Sequence, residues 1–108
     1  MSQYDAVRLT TLFVIDLIRR LKPGEPVRLD ELGDALRTAI AKPAEGDLWF
    51  TFGPHASLDE FLFELQALGD VVIGPDSKTV RLTTGGEQLL AESANQLPGL
   101  SAKLGLAA

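Results

Sequence analysis

Residues 57–90 form the stretch of the sequence that decides the fold, and they read SLDEFLFELQALGDVVIGPDSKTVRLTTGGEQLL. Apolar residues recur at helical spacing over 57–68, and Ser57 with Glu60 has the spacing of a capping box at the start of that helix. Gly69 follows the last apolar position, and glycine is the residue that most often ends a helix. These signals predict a helix that begins and ends within this stretch.

A hairpin and a further helix are predicted after Gly69. Two short apolar runs, 71–73 and 79–82, flank a Gly-Pro-Asp-Ser turn and have the residue types of β-strands. Thr84 and Glu87 have capping-box spacing, which predicts a helix from there to about residue 95. The order of helix, hairpin and helix predicts an α+β fold with a small antiparallel sheet.

The N-terminal half supplies two more helices. Helical spacing of apolar residues covers 5–21 and 30–41, and an extended segment at 26–29 lies between the two helices. An aromatic run at 48–52 favours a strand. We therefore expect one domain over residues 1–96 with three core helices and a C-terminal helix, followed by a tail, 97–108, that packs at a dimer interface.

Composition limits the classes of function. The chain has 108 residues, which is the length of one domain, and it has no cysteine, which excludes disulfides and thiolate metal sites. No apolar stretch has the length of a membrane span, and the first residues lack the pattern of a secretory signal. We expect a cytoplasmic protein that uses no cofactor and no metal.

The junction between the hairpin and the last helix resembles a known family. The motif Leu82-Thr83-x-x-Gly86-x-x-Leu89-Leu90 resembles the wing-to-helix junction of winged-helix regulators of the MarR and PadR types. In those proteins the threonine caps the last helix and the glycine lets the helix approach the wing. The resemblance implies a winged helix with a two-stranded wing, a fold that usually binds DNA.

The third helix departs from the DNA-binding pattern. DNA-binding members carry cations and polar residues on the exposed face of this helix, whereas this chain has Asp59, Glu60, Phe63 and Glu64 there and no Lys or Arg between 57 and 68. Carboxylates repel phosphates, and an exposed phenylalanine is typical of a protein contact. We expect this face to bind a partner protein, although the aromatic run at 48–52 is an alternative cover for Phe63.

The first helix has a second apolar stripe beside the one that a small core needs. Leu9, Phe13 and Leu17 form this stripe, next to Val7, Val14, Ile18 and Leu21. The stripe is either covered by the C-terminal segment or pairs with another chain. The first possibility needs no partner, and the second predicts a homodimer in which Leu9, Phe13 and Leu17 are the contact residues.

Three functions fit these features, and none of them is enzymatic, because no nucleophile, base and orienting group occur together. The first is a protein-interaction adaptor or regulatory subunit that is homodimeric. The second is a DNA-binding regulator of the MarR or PadR type, in which the phosphate contacts would be Arg19, Arg20, Lys22, Lys78 and Arg81. The third is an acidic DNA mimic, consistent with a net charge of −5.

Overall fold

The structure, a computed structural model, describes residues 3–39 and 58–93. The described parts contain four helices and three strands, an α+β architecture. In chain order the elements are α1 (Gln3–Leu21), β1 (Val27–Arg28), α2 (Leu29–Ala39), α3 (Leu58–Ala67), β2 (Val71–Ile73), β3 (Thr79–Leu82) and α4 (Thr84–Glu92).

The three strands form one antiparallel sheet in the order β1-β3-β2. Val80 of β3 lies at the centre, since it is opposite Val27 of β1 on one side and Ile73 of β2 on the other. Side chains alternate between the two faces of a strand, and in β3 Val80 and Leu82 are buried while Arg81 is exposed. One face of the sheet therefore completes the core.

The hairpin turn is stabilised by hydrogen bonds between residues that are close in sequence. The amide of Gly74 donates to the carbonyl of Thr79 at 2.8 Å, and the amide of Ser77 donates to the carbonyl of Gly74 at 2.9 Å. The Asp76 side chain accepts from the amide of Lys78 at 3.0 Å, as aspartate commonly does in turns. Ser77 has a φ of 60°, in the left-handed region.

Helix α1 is the central element of the core, because it contacts α2, α4, β1 and β3. Its buried side chains belong to one hydrophobic cluster with Leu32 of α2 and with Phe61, Leu62 and Leu65 of α3, all 0% exposed. A helix that packs against neighbours on several sides must be apolar over more than one face. Packing within a single chain therefore accounts for much of the wide apolar surface of α1.

The end of α3 is fixed by a Schellman motif. The amide of Asp70 donates to the carbonyl of Leu65 at 2.9 Å, and the amide of Gly69 donates to the carbonyl of Gln66 at 3.0 Å. Gly69 has a φ of 89°, which glycine adopts at no steric cost. Gly69 therefore fixes the position at which α3 ends and the chain turns into β2.

Asp70 joins α1 to this turn. Its carboxylate accepts from Arg8 Nε at 2.7 Å and Arg8 Nη2 at 3.0 Å, although the two residues are 62 positions apart. The Asp70 side chain is 5% exposed and the Arg8 side chain 25%. A buried carboxylate requires a partner of this kind, because an uncompensated buried charge is strongly destabilising.

Helix α4 begins where the resemblance implied. Thr83 is the N-cap, and its hydroxyl accepts from the amide of Gly86 at 3.0 Å and donates to the carbonyl of Gly69. Thr84 is instead the first residue of the helix, so its expected role as the capping residue was wrong. A Cβ at Gly86 would lie 2.1 Å from the backbone oxygen of Asp70. Only glycine permits this approach of α4 to the start of β2.

The structure corrects the expected burial of α1. Leu9, one of the three predicted dimer contacts, is 5% exposed in the single chain, while Leu21, expected in the core, is 72% exposed. The reason is that the helix is buried on most sides over residues 7–15, and its last turn extends beyond the core. Leu68, expected on the core face of the third helix, is 50% exposed because α3 ends at Ala67.

Some expectations lie outside the described residues. These are the aromatic strand at 48–52, the last residues of the expected second and fourth helices, and the tail at 97–108. The expected domain over 1–96 is described only in its two parts, 3–39 and 58–93. Among the helices of these two parts, none combines the length and the apolar character that crossing a membrane requires.

Candidate interaction surfaces

The first candidate surface is the exposed face of α3, defined by Asp59, Glu60, Phe63 and Glu64. Asp59 and Glu60 occupy the first turn of the helix, where the helix dipole favours acidic residues. Both are exposed and Glu64 is partly exposed. The structure therefore brings the four predicted partner-binding residues together on one helix.

Phe63 is the apolar residue of this surface. It is 54% exposed, whereas Phe61, two positions earlier, is 0% exposed. A separation of two residues corresponds to about 200° around a helix, so the two rings point to nearly opposite sides. Burial of this exposed aromatic ring against an apolar surface would be favourable.

Gln66 holds the α3 surface at a fixed distance from the hairpin. Its side-chain oxygen accepts from the amide of Ile73 at 2.8 Å. Ile73 lies in β2, an edge strand of the sheet, and this hydrogen bond uses an amide that would otherwise be open to another strand. No local sequence pattern indicates this role of Gln66, because its partner lies seven residues away in the hairpin.

The second candidate surface is an apolar ridge on α1, formed by Phe13, Leu17 and Leu21. These residues are four positions apart, so they line up along one side of the helix. Their exposed fractions are 38%, 43% and 72%. Phe13 and Leu17 belong to the predicted dimer stripe. Leu9 of that stripe is buried, and Leu21, which helical spacing grouped with Val7, Val14 and Ile18 in the core stripe, continues the ridge instead.

Charged residues beside the ridge form a network in which the charges balance. Asp16 pairs with Arg19 and, at 2.9 Å, with Arg20. Arg19 also reaches Glu87 of α4 at 2.9 Å. A concavity of about 400 Å³ lies here between α1 and α4, lined by these four residues together with Phe13, Leu90 and Ala91.

The ion pairs at the end of α1 shift the pKa values of their members. The hydrogen bond to Glu87 is the main cause that raises the pKa of Arg19, with desolvation opposing it. A hydrogen bond to Glu31 raises the pKa of Lys22, and the same contact lowers the pKa of Glu31. These cations are thus held by carboxylates of their own chain.

The five predicted phosphate contacts fall into two groups. Arg19, Arg20 and Lys22 all pair with carboxylates of the chain. Lys78 and Arg81, on the hairpin, are exposed and form no ion pair within residues 3–39 and 58–93. Arg19 and Arg81 line the same cavity beside the hairpin.

Comparisons with known proteins add no functional assignment. Protein-family models, curated proteins and solved structures give no match to this chain. In the part of the chain that the structure describes, no three His, Cys, Asp or Glu side chains are grouped as metal ligands. The function is therefore to be inferred from the two surfaces.

Proposed function

We propose that this chain is a winged-helix protein-interaction module, an adaptor or regulatory subunit that works as a homodimer and catalyses no reaction. The observation that carries the proposal is the exposed face of α3, where Phe63 is 54% exposed among Asp59, Glu60 and Glu64. In a DNA-binding winged helix the corresponding helix enters the major groove. Here that helix offers carboxylates and an aromatic ring.

The winged-helix assignment rests on the order of elements and on the junction before α4. Three helices, a hairpin and a further helix follow one another, and the first short strand pairs with β3 at the side opposite β2. The motif that resembles MarR and PadR regulators behaves as the resemblance implies: Thr83 caps α4, and Gly86 lies against the Asp70 backbone. Both features support the assignment.

The partner of the α3 surface is expected to be a protein with a basic, partly apolar contact site. Three carboxylates favour a cationic partner, since opposite charges across an interface steer association and fix its register. Phe63 requires an apolar pocket, because aromatic side chains contribute most when they are fully desolvated. The contact would therefore combine basic side chains with one apolar pocket.

The α1 ridge is proposed as the contact with a second copy of the chain. A chain with a net charge of −5 repels itself in general. The area beside the ridge is different, because Asp16 and Glu87 are balanced by Arg19 and Arg20, which they bind. Two copies can meet there through Phe13, Leu17 and Leu21 without a net electrostatic penalty.

A DNA-binding regulator is the second candidate, and Lys78 and Arg81 favour it. Both cations are exposed on the hairpin, and a wing commonly approaches the DNA backbone. Two such cations give only a small counterion-release contribution to binding. The carboxylates of α3 would oppose binding in the usual orientation, so this candidate ranks below the first.

Site-specific photo-crosslinking tests the α3 surface. A photoreactive phenylalanine analogue is placed at position 63 of the full chain in cells of the source organism, and as a matched control at position 68. Leu68 is 50% exposed and directly follows α3, but it is not one of the residues that define the α3 surface. We expect one discrete adduct at 63 and none at 68.

Charge reversal distinguishes a specific contact from trapping by a reactive group. The adduct at position 63 should disappear when Asp59 and Glu60 are both replaced by Lys, because a basic partner would then be repelled. Three results would contradict the proposed partner surface. The adduct could form equally at position 68, it could survive the charge reversal, or it could consist of two copies of this chain.

A further inference from the structure

A cavity of about 550 Å³ lies between the C-terminal half of α1, the turn that leads into β1, and the hairpin. The residues that line it come from parts of the chain that are far apart in sequence, from Ile15 to Leu82. Small-molecule sites commonly have volumes of ~300–1,000 Å³ and a mostly apolar lining with a few polar groups. The volume of this cavity falls within that range.

The lining of the cavity is largely apolar. Val27, Val72, Val80 and two prolines, Pro26 and Pro75, contribute to it. Val72 is directly opposite Arg81 in the β2–β3 register, so the two side chains are neighbours on one face of the sheet. The cavity therefore offers an apolar surface with a guanidinium next to it.

Three charged residues line the cavity, and they differ in charge and in whether they form ion pairs. Arg19 is bound to Asp16 and Glu87. Arg81 is exposed and forms no ion pair with any residue in 3–39 or 58–93. Glu25 is the single carboxylate among the described lining residues. The arrangement suits a ligand with one negative group, because a second one would meet Glu25.

We propose that this cavity binds a small acid with an apolar body, whose carboxylate pairs with Arg81 and whose body lies against Val72 and Pro26. Guanidinium and carboxylate form paired hydrogen bonds of complementary geometry. The apolar body gains from leaving water. None of the residues that define the α3 surface or the α1 ridge lines this cavity, although Arg19 belongs both to its lining and to the charged network beside the ridge. The proposal rests on Arg81 and the apolar lining and not on the protein partner.

The test is a titration of the full chain followed by amide chemical shifts in solution. Three ligands separate the contributions: naphthylacetate carries both features, naphthylacetamide lacks the charge, and acetate lacks the apolar body. We expect saturable shifts for naphthylacetate, centred on the amides of Val27, Val72 and Gly74. Naphthylacetamide should bind about threefold to fivefold more weakly, as the loss of a partly exposed ion pair implies. Acetate should give no saturable shift.

Two matched variants test the role of Arg81. Arg81→Gln should weaken naphthylacetate binding about threefold to fivefold and should remove the preference for the acid over the amide. Lys78→Gln removes a cation from the same hairpin but outside the cavity lining. It should leave unchanged both the affinity for naphthylacetate and the preference for the acid over the amide. The proposal would be overturned if naphthylacetate gave no saturable shifts or if the shifts were centred away from the hairpin. Equal effects of the two variants on naphthylacetate binding would also overturn it.

Discussion

Phe61 and Phe63 are the same residue type on one helix in opposite environments. Phe61 belongs to the core at 0% exposure, and Phe63 is 54% exposed. Truncation of a buried phenylalanine typically costs ~3–5 kcal/mol, while an exposed one costs little. We therefore expect Phe61→Ala to reduce the free energy of unfolding severely and Phe63→Ala to leave it nearly unchanged.

Chemical denaturation of both variants at one protein concentration makes this comparison. A fixed concentration is needed because dissociation of a homodimer contributes to the apparent stability. Equal and large losses in the two variants would place Phe63 in the core. The α3 surface would then retain only its carboxylates, which are too few to support a partner contact.

Two neighbouring threonines of α1 provide a second test at the residue scale. Thr10 and Thr11 are both buried, but the Thr11 hydroxyl donates to the carbonyl of Val7 at 2.8 Å, whereas the Thr10 hydroxyl has no hydrogen-bond partner among residues 3–39 and 58–93. A buried polar group without a partner is destabilising. Thr10→Val should therefore raise the free energy of unfolding by about 1 kcal/mol.

Thr11→Val is the matched control, because it makes the same chemical change where the hydroxyl is satisfied. Thr11→Val should lower the free energy of unfolding by ~0.5–1.5 kcal/mol, the net value of a typical hydrogen bond. The unfolding midpoints of the two variants are compared in denaturant. If Thr10→Val destabilises as much as Thr11→Val, the Thr10 hydroxyl has a partner after all.

At the scale of the elements, the contact of α4 with the start of β2 depends on one glycine. A Cβ at position 86 would lie 2.1 Å from the Asp70 carbonyl oxygen, which is backbone and cannot rotate away. Gly86→Ala should therefore displace α4 and lower the free energy of unfolding by ~1–3 kcal/mol, the usual cost of overpacking.

Gln88→Ala is the control for Gly86→Ala, since Gln88 is exposed on the same helix. Exposed substitutions of this kind change stability by less than ~0.5 kcal/mol. Thermal unfolding at one concentration suffices for the comparison. A Gly86→Ala variant as stable as the wild type would mean that α4 can shift freely, and the junction would lose its value as support for the winged helix.

The α1 ridge predicts self-association. Leu17→Asp should shift the protein towards the monomer, because a charge would be buried at the contact with the second copy. Leu68→Asp is the control, since Leu68 is exposed to a similar degree but lies outside the ridge. Sedimentation at micromolar concentration should show a dimer for the wild type and for Leu68→Asp. A wild-type species of 11.6 kDa would contradict the homodimer.

Local patterns in the sequence predicted the elements well. The two hairpin strands lie at 71–73 and 79–82 as expected. Helices α1, α2 and α4 begin within two residues of their expected starts, and α1 and α3 end within one residue of their expected ends. The α3 surface was also foreseeable, since helical periodicity alone places Phe63 opposite the apolar face. Turn residues and periodicity act over a few positions, and these features depend on nothing further.

Contacts between distant parts of the chain were not foreseeable in the same way. The pairing of Arg8 with Asp70 joins residues 62 positions apart, and no local pattern indicates it. Leu9 is buried and Leu21 exposed because α1 extends past the core at its end, which depends on how the other elements pack. The cavity beside the hairpin likewise depends on the packing of three segments.

At the scale of the whole molecule, charge separates protein binding from DNA binding. The chain has 15 acidic and 10 basic residues, and α3 contains acidic residues but no basic one. Arg19, Arg20 and Lys22 are bound to carboxylates of the chain. Of the five candidates for phosphate contact, Lys78 and Arg81 on the hairpin are the two that form no ion pair with the residues that the structure describes. DNA affinity grows with the number of phosphates neutralised.

Binding to duplex DNA is the measurement that distinguishes the two functions most directly. We expect the wild type to bind a duplex library at physiological salt no more tightly than the non-specific range of ~10⁻⁴ to 10⁻⁶ M, because α3 repels phosphates. Fluorescence anisotropy over a series of salt concentrations gives both the affinity and its salt dependence. A nanomolar complex with a selected duplex that is lost in Lys78→Ala or Arg81→Ala would contradict the protein-interaction module and establish the DNA-binding regulator.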